Sequence, residues 1–160
     1  MALPVPLFNK YALLTVHTGP AAPGGVTTNY ECSATSIGLV SAGGDIVSQS
    51  TMCPDGAFTE TTPKTWSLSV TALQDVETEE PDNLMIFGLD HEGETVDVTW
   101  YPKTDALKAP VGFGWEGPAK VGAPSQVGGG DIGTYATYDL VFAFQGKPVR
   151  VDATGTPVAA

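Results

Sequence analysis

The sequence predicts a mainly β fold, a β-sandwich or barrel of antiparallel strands with one short flanking helix. Three observations predict it. Several stretches alternate apolar and polar residues with period 2, the clearest being TWSLSVTAL at 65–73. Nineteen Gly and thirteen Pro punctuate the chain, which favours many short strands and turns over long helices. Only the segment around 82–92 carries helical spacing. With 160 residues, 42% hydrophobic and 16% charged, a single domain over 1–160 has enough apolar material for a real core.

The elements follow in order. Residues 1–25 form an N-terminal arm around the apolar run YALLTV and end in GPAAPGG. TTNYECSATSIGLVS (27–41) reads as a strand pair or one long strand. The stretch 42–63 has weak patterning and turn signals at both ends, so it reads as a long loop, with a hairpin as the alternative. It carries Ile46, Val47, Met52 and Phe58, more apolar material than a solvated loop needs.

In the next strand, Trp66, Leu68 and Val70 fall on one side and Ser67, Ser69 and Thr71 on the other. A helix over about 82–92 follows. Glu79 and Glu80 before Pro81 suit its first turn, and Gly93 suits a left-handed end. Leu84 and Phe87 share its apolar stripe.

ETVDVTWYPK (94–103) is again a strand, with Val96, Val98 and Trp100 opposite Thr95, Asp97 and Thr99. A Gly-interrupted strand region covers 109–125. The last strong strand lies within 133–152 and has Tyr138, Leu140, Phe142 and Phe144 on one face; Gly146 and Pro148 then turn it into a short terminal strand. The expected core is therefore Trp66, Leu68, Val70, Leu84, Phe87, Val96, Val98, Trp100, Leu140 and Phe142.

Composition excludes several function classes. Eighteen acids against seven scattered bases, a net charge of −11, argue against a protein that grips nucleic-acid phosphates. GGGDIG (128–133) matches a dinucleotide fingerprint only formally, because a turn region leads into it and a strand follows. Cys32 and Cys53 lack zinc-site spacing and are expected as reduced thiols. The two histidines, His17 and His91, offer no triad or zinc set, and ETEEPD lacks calcium-loop spacing. Asp97 and Asp139 are the only acids well inside strong strands. No enzyme activity, cofactor or metal is expected. The N-terminus lacks a charged start followed by an apolar run, so neither a signal peptide nor membrane insertion is expected.

The order of segments also resembles a known family. TWSLSVTALQD, then DNLMIFGLDHEGETVDVTWYP, then VGAPSQVGGGDIGTYATYDLVFAFQGKP are similar to the major tail proteins (tail tube proteins) of long-tailed phages of actinobacteria. The shared elements are a W-S-L-x-V strand, a short L-x-x-F helix, a V-x-V-x-W/Y-x-P strand and a final aromatic strand ending F-x-G-x-P. They cover roughly residues 60–150; the N-terminal third matches only in style.

The resemblance implies a structural virion protein, assembled in the host cytoplasm into hexameric rings that stack into a tube. Its partners would be other copies of itself and the tape-measure, baseplate and tail-terminator proteins. DNA would pass through the lumen without specific binding. Ser67, Ser69, Thr71, Thr95, Asp97 and Thr99 are then the lumen-facing candidates, since small hydrated groups give DNA nothing to hold. By position, 42–63 is the candidate inter-ring arm, with contacts at Ile46, Val47, Met52 and Phe58. A capsid decoration or adhesion β-sandwich module is the alternative.

Overall fold

The computed structural model describes residues 12–19, 26–30, 34–50, 57–77, 83–129, 133 and 135–158. These form ten strands and one helix: β1 (Leu13–Thr18), β2 (Val26–Asn29), β3 (Ala34–Gly43), β4 (Ile46–Ser50), β5 (Ala57–Thr61), β6 (Lys64–Leu73), α1 (Leu84–Asp90), β7 (Thr95–Tyr101), β8 (Gly114–Val121), β9 (Thr137–Phe144) and β10 (Val149–Val151). Eight strands make one antiparallel sheet in the order β2-β1-β7-β8-β9-β6-β3, with β10 also on β8. The mainly β, antiparallel architecture with a single short helix is as expected, and among the described residues it is one eight-stranded sheet with β2 and β3 at its edges.

Register explains the core. Val16 pairs with Val98, Val96 with Ala119, Val121 with Phe142, Leu68 with Phe142 and Val70 with Leu140, so every central strand turns its apolar residues to the same face. Those residues join Leu84, Met85 and Phe87 of α1 in one contiguous buried cluster. Nine of the ten expected core residues are buried; Trp66 is half-buried and packs at its margin. The helix approaches β9 closely because residue 88 is glycine: a Cβ there would lie 2.8 Å from Leu140 Cδ1.

The helix is shorter than 82–92. Asn83 is its N-cap and accepts hydrogen bonds from the N–H groups of Met85 (2.9 Å) and Ile86 (3.3 Å). Pro81 therefore precedes the cap instead of opening the first turn, and with Glu79 and Glu80 it lies outside the described residues. The Asn83 side chain also donates to the Asp75 carbonyl at 2.8 Å, tying the helix to the end of β6. Gly93, at φ 79°, lies two residues past the C-cap His91, and its N–H donates to Val121 O.

The long loop expected over 42–63 is, in its described parts, a hairpin. β4 pairs with β5 from Ile46↔Thr61 to Ser50↔Ala57, directly beyond the last β3–β6 pair, Gly43↔Lys64. Gly43 and Gly44 both take positive φ at the joint, and a Cβ on Gly43 would meet Pro63 O at 2.6 Å. Thr62 braces it by accepting from the N–H groups of Gly44 and Asp45. Ile46, Val47, Ser48, Thr59, Glu60 and Thr61 are all exposed, so neither face needs to be apolar and no alternation marks the strands.

The chain end also differs from expectation. β10 does not turn back from β9. Both run antiparallel to β8, and β10 resumes the path of β9 after a break at residues 145–148. The break accommodates Pro118 within β8: a proline has no N–H to donate there, and its carbonyl accepts from Gln145 N at 3.0 Å.

Replacing Asn83 by Ala removes the cap and leaves buried helix N–H groups without a partner. The expected loss is about 1–2 kcal/mol in urea unfolding, while exposed Glu92→Ala should stay within about 0.5 kcal/mol of the wild type. Equal stability of both variants would contradict the assigned cap.

Candidate functional site: the polar face of the sheet

With the apolar side chains committed to one face, the residues between them form the other. Ser67, Ser69 and Thr71 of β6 stand opposite Ala143, Val141 and Asp139 of β9. Ala143 stands opposite Lys120 of β8, and Lys120 opposite Thr95 of β7. Asp97 faces Pro118 on one side and His17 on the other; Thr99 faces Glu116 and Thr15. All six lumen-facing candidates thus share one face, in two groups separated by β8 and β9. At the margins, β3 adds Ser36, Gly38 and Val40 and β2 adds Thr27 and Asn29.

Four hydroxyls on this face, those of Thr15, Thr27, Thr71 and Thr95, bond sideways, along the sheet. Thr71 Oγ1 donates to Asp139 Oδ1 (2.6 Å), Gln145 Nε2 to Thr95 Oγ1 (2.9 Å), and Thr15 Oγ1 to Asn29 Oδ1 (2.9 Å). His17 Nδ1 lies 2.8 Å from Thr27 Oγ1. Side chains held flat in this way give a low, hydrated surface with few extended groups.

The face is smooth around β6 and more charged around β7 and β8. Asp97, Glu116, Asp139, Lys120 and His17 all belong to it, and so does the apolar Val141. A concavity of about 540 Å³ opens there, lined by His17, Thr27, Asp97, Thr99, Glu116, Gly117, Pro118 and Val149. Partial burial, and secondarily the negative charge of Asp97, raise the Glu116 carboxyl above its ordinary pKa. Among the described residues no group of three His, Cys, Asp or Glu side chains is placed to hold a metal ion. Sequence reasoning missed His17 and Glu116 because their approach to Asp97 is made by register across three strands.

The other predicted group, the arm contacts, is only partly described. Ile46 and Val47 lie on β4 with 72% and 54% of their surface exposed. Phe58 belongs to β5, but its side chain, like all of Met52, lies outside the described residues.

No family model and no curated protein matches the chain. Solved structures do. A chain of the cryo-EM structure of the anti-feeding prophage (AFP) baseplate, 6-fold symmetrised, superposes with a TM-score of 0.61 at 14% identity, covering 94% of this chain and 99% of that one. The fold is similar to that of this baseplate chain. A chain from the tail of an empty GTA particle, from helical refinement with C6 symmetry, gives a TM-score of 0.49 at 15% identity and covers 84% of this chain and 92% of that one. At such identities the likeness is one of architecture, a mainly β antiparallel sheet of eight strands with a single short helix.

The raised Glu116 pKa carries a sign. A carboxyl that holds its proton more tightly when folded contributes stability below its unfolded pKa and loses it as pH rises through the folded value. Glu116→Gln should therefore unfold at a higher temperature than the wild type near neutral pH, with the gain vanishing below about pH 4. A gain that is the same at both pH values would assign the effect to packing instead.

Proposed function

We propose that this chain is a structural virion protein forming stacked hexameric rings of a phage tail tube, a conduit for DNA of the kind its actinobacteriophage resemblance implies. The observation that supports the reading is the two-faced sheet with unpartnered edges. One face is saturated by the core and α1, the other is low and hydroxyl-rich, and the edge strands β2 and β3 each pair on one side only among the described residues. Open edges are a liability in a free protomer. Joining β3 of one copy to β2 of the next would satisfy them, and cyclic repetition of one such heterologous contact closes a ring.

In that ring the polar face is the wall of the bore. Ser67, Ser69, Thr71, Thr95 and Thr99 would offer passing DNA short hydrated hydroxyls, and Asp97 and Asp139 would repel its phosphates. The β4–β5 hairpin, with Ile46 and Val47 exposed, would reach a neighbouring ring. The tape-measure, baseplate and tail-terminator proteins would set the length and ends of the tube.

Electron microscopy of the purified protein tests the reading. Hexameric rings or hollow tubes are expected; a persistent monomer, or trimers seated on capsids, would sink it. A second measurement tests the face. Ser69→Lys places one cation per copy in the bore, so particles should assemble normally yet eject DNA severalfold more slowly. Wild-type ejection from well-formed mutant particles would show that this face lies elsewhere.

A further inference from the structure

The two ends of the protomer differ in chemistry in a way that neither the core nor the polar face requires. Residues 74–94 contain eight acids and no Lys or Arg. Of the described acids, Asp75 and Glu77 follow β6, while Asp90, Glu92 and Glu94 lie near one end of the β7–β8 ladder, where Gly93 N donates to Val121 O and Val121 N to Glu94 O. Asp90, Glu92 and Glu94 are exposed at the C-terminal end of α1, where the helix dipole favours cations. Glu94 Oε2 lies 2.8 Å from Nδ1 of the C-cap His91, while the charges of Asp90 and Glu92 do not serve the helix. Leu89, in the last turn of α1, is exposed beside them at 42%.

The opposite end lies roughly 20 Å away along β7, taking ~3.3 Å per residue. There the β7–β8 loop carries Lys103 and Lys108, and β10 brings Arg150 against it, with the guanidinium 4.8 Å from the Phe113 ring centroid. The carboxylates at this end are folded inward onto backbone: Asp105 Oδ1 accepts from the N–H groups of Leu107 and Ala109, and Asp152 Oδ1 from those of Thr154 and Thr156. Backbone bonds from Asp105 N to Ala109 O and from Val111 N to Lys103 O close the loop. Lys108 completes it at φ 62°, a left-handed conformation uncommon for a residue other than glycine. This ordered loop displays Leu107 with 89% of its surface exposed, and Phe113 at 50%. A rigid apolar knob ringed by cations suits protein contact, because little ordering entropy remains to be lost on binding.

We propose that the β7–β8 loop end of one copy docks on the acidic α1 end of a second copy. Leu107 and Phe113 would meet Leu89, and Lys103, Lys108 and Arg150 would meet Asp90, Glu92 and Glu94. The contact is head to tail, so it propagates without closing, as successive rings of a tube must. It rests on the tail-tube reading for the arrangement of the copies and adds which surfaces meet between rings.

Charge reversal tests it. Lys103→Glu/Lys108→Glu sets acids against acids across the contact, and Asp90→Lys/Glu92→Lys reverses two of the three carboxylates that would meet the loop end; the reversals lie on exposed or half-exposed side chains, and unfolding curves verify that each protomer still folds. Stack length by electron microscopy and mass by sedimentation are followed from 50 mM to 1 M NaCl, a range over which the Debye length falls to about 3 Å. Wild-type stacking should fall at least tenfold across it. Each double variant alone should form rings that do not stack at low salt, and an equimolar mixture of the two should stack again. Stacks indifferent to salt and to both reversals overturn this docking and leave the tail-tube reading standing. A wild-type chain that stays monomeric throughout the salt series overturns both.

Discussion

Every feature of this protein depends on one constraint: five neighbouring strands must agree on which face is apolar. A slip of one residue between β6 and β9 would trade Leu140 and Phe142 for Asp139 and Val141 under the helix, at the cost of burying a carboxylate. The agreement runs from Leu14 and Val16 on β1 to Leu68 and Val70 on β6. α1 then needs to be only seven residues long. It supplies Leu84, Met85 and Phe87 as a lid, held at one end by the Asn83 cap and drawn close by Gly88. The polar face follows from the same agreement, because alternation sends to it whatever the core does not take.

That dependence explains what was legible in the sequence. β6, β7 and β9 each bury one face, so Leu68, Val70, Val96, Val98, Leu140 and Phe142 could be placed from period 2 alone. The six candidates Ser67, Ser69, Thr71, Thr95, Asp97 and Thr99 came with them, since a strand's second face is fixed once its first is known. The β4–β5 hairpin was illegible for the converse reason. Exposed on both faces, Ile46–Ser50 and Ala57–Thr61 have no reason to alternate, and their only signals are Gly43, Gly44 and Pro63 at the base. The helix start was misplaced because Pro81 and Asn83 are both good opening residues. The choice between them is made by a contact outside the helix, the bond from Asn83 to Asp75 O. The gathering of His17, Asp97 and Glu116 was equally hidden. It depends on β1 and β8 flanking β7, a fact of topology that no single strand carries.

The distribution of charge alters the electrostatic picture that composition suggests. A net charge of −11 invites the idea of a uniformly repulsive bore. Yet the described acids of the longest acidic run, Asp75, Glu77, Asp90, Glu92 and Glu94, lie just past β6 and around the C-terminal end of α1, and not among the hydroxyls of the polar face. On the polar face Asp97, Glu116 and Asp139 are partly offset by Lys120. Its resistance to adhesion would then come mainly from the shortness of its side chains, with the hydroxyls of Thr71 and Thr95 already bonded along the sheet. Repulsion of phosphate would be a secondary effect there.

The proposed assembly consequently uses separate parts of the molecule in separate directions. Ring closure would draw on the backbone edges of β2 and β3, whose donors and acceptors have nearly the same geometry whatever the side chains. Stacking would draw on loops and the α1 end, where side-chain charge and the Leu107 knob decide the fit. Neither direction asks anything of the core, so the surfaces that select a neighbour can change without disturbing the register on which the fold depends. That separation accounts for a fold recognisable at 14% identity when no sequence family matches: the period-2 core constrains residue class and not residue identity, and the surfaces are left free to diverge.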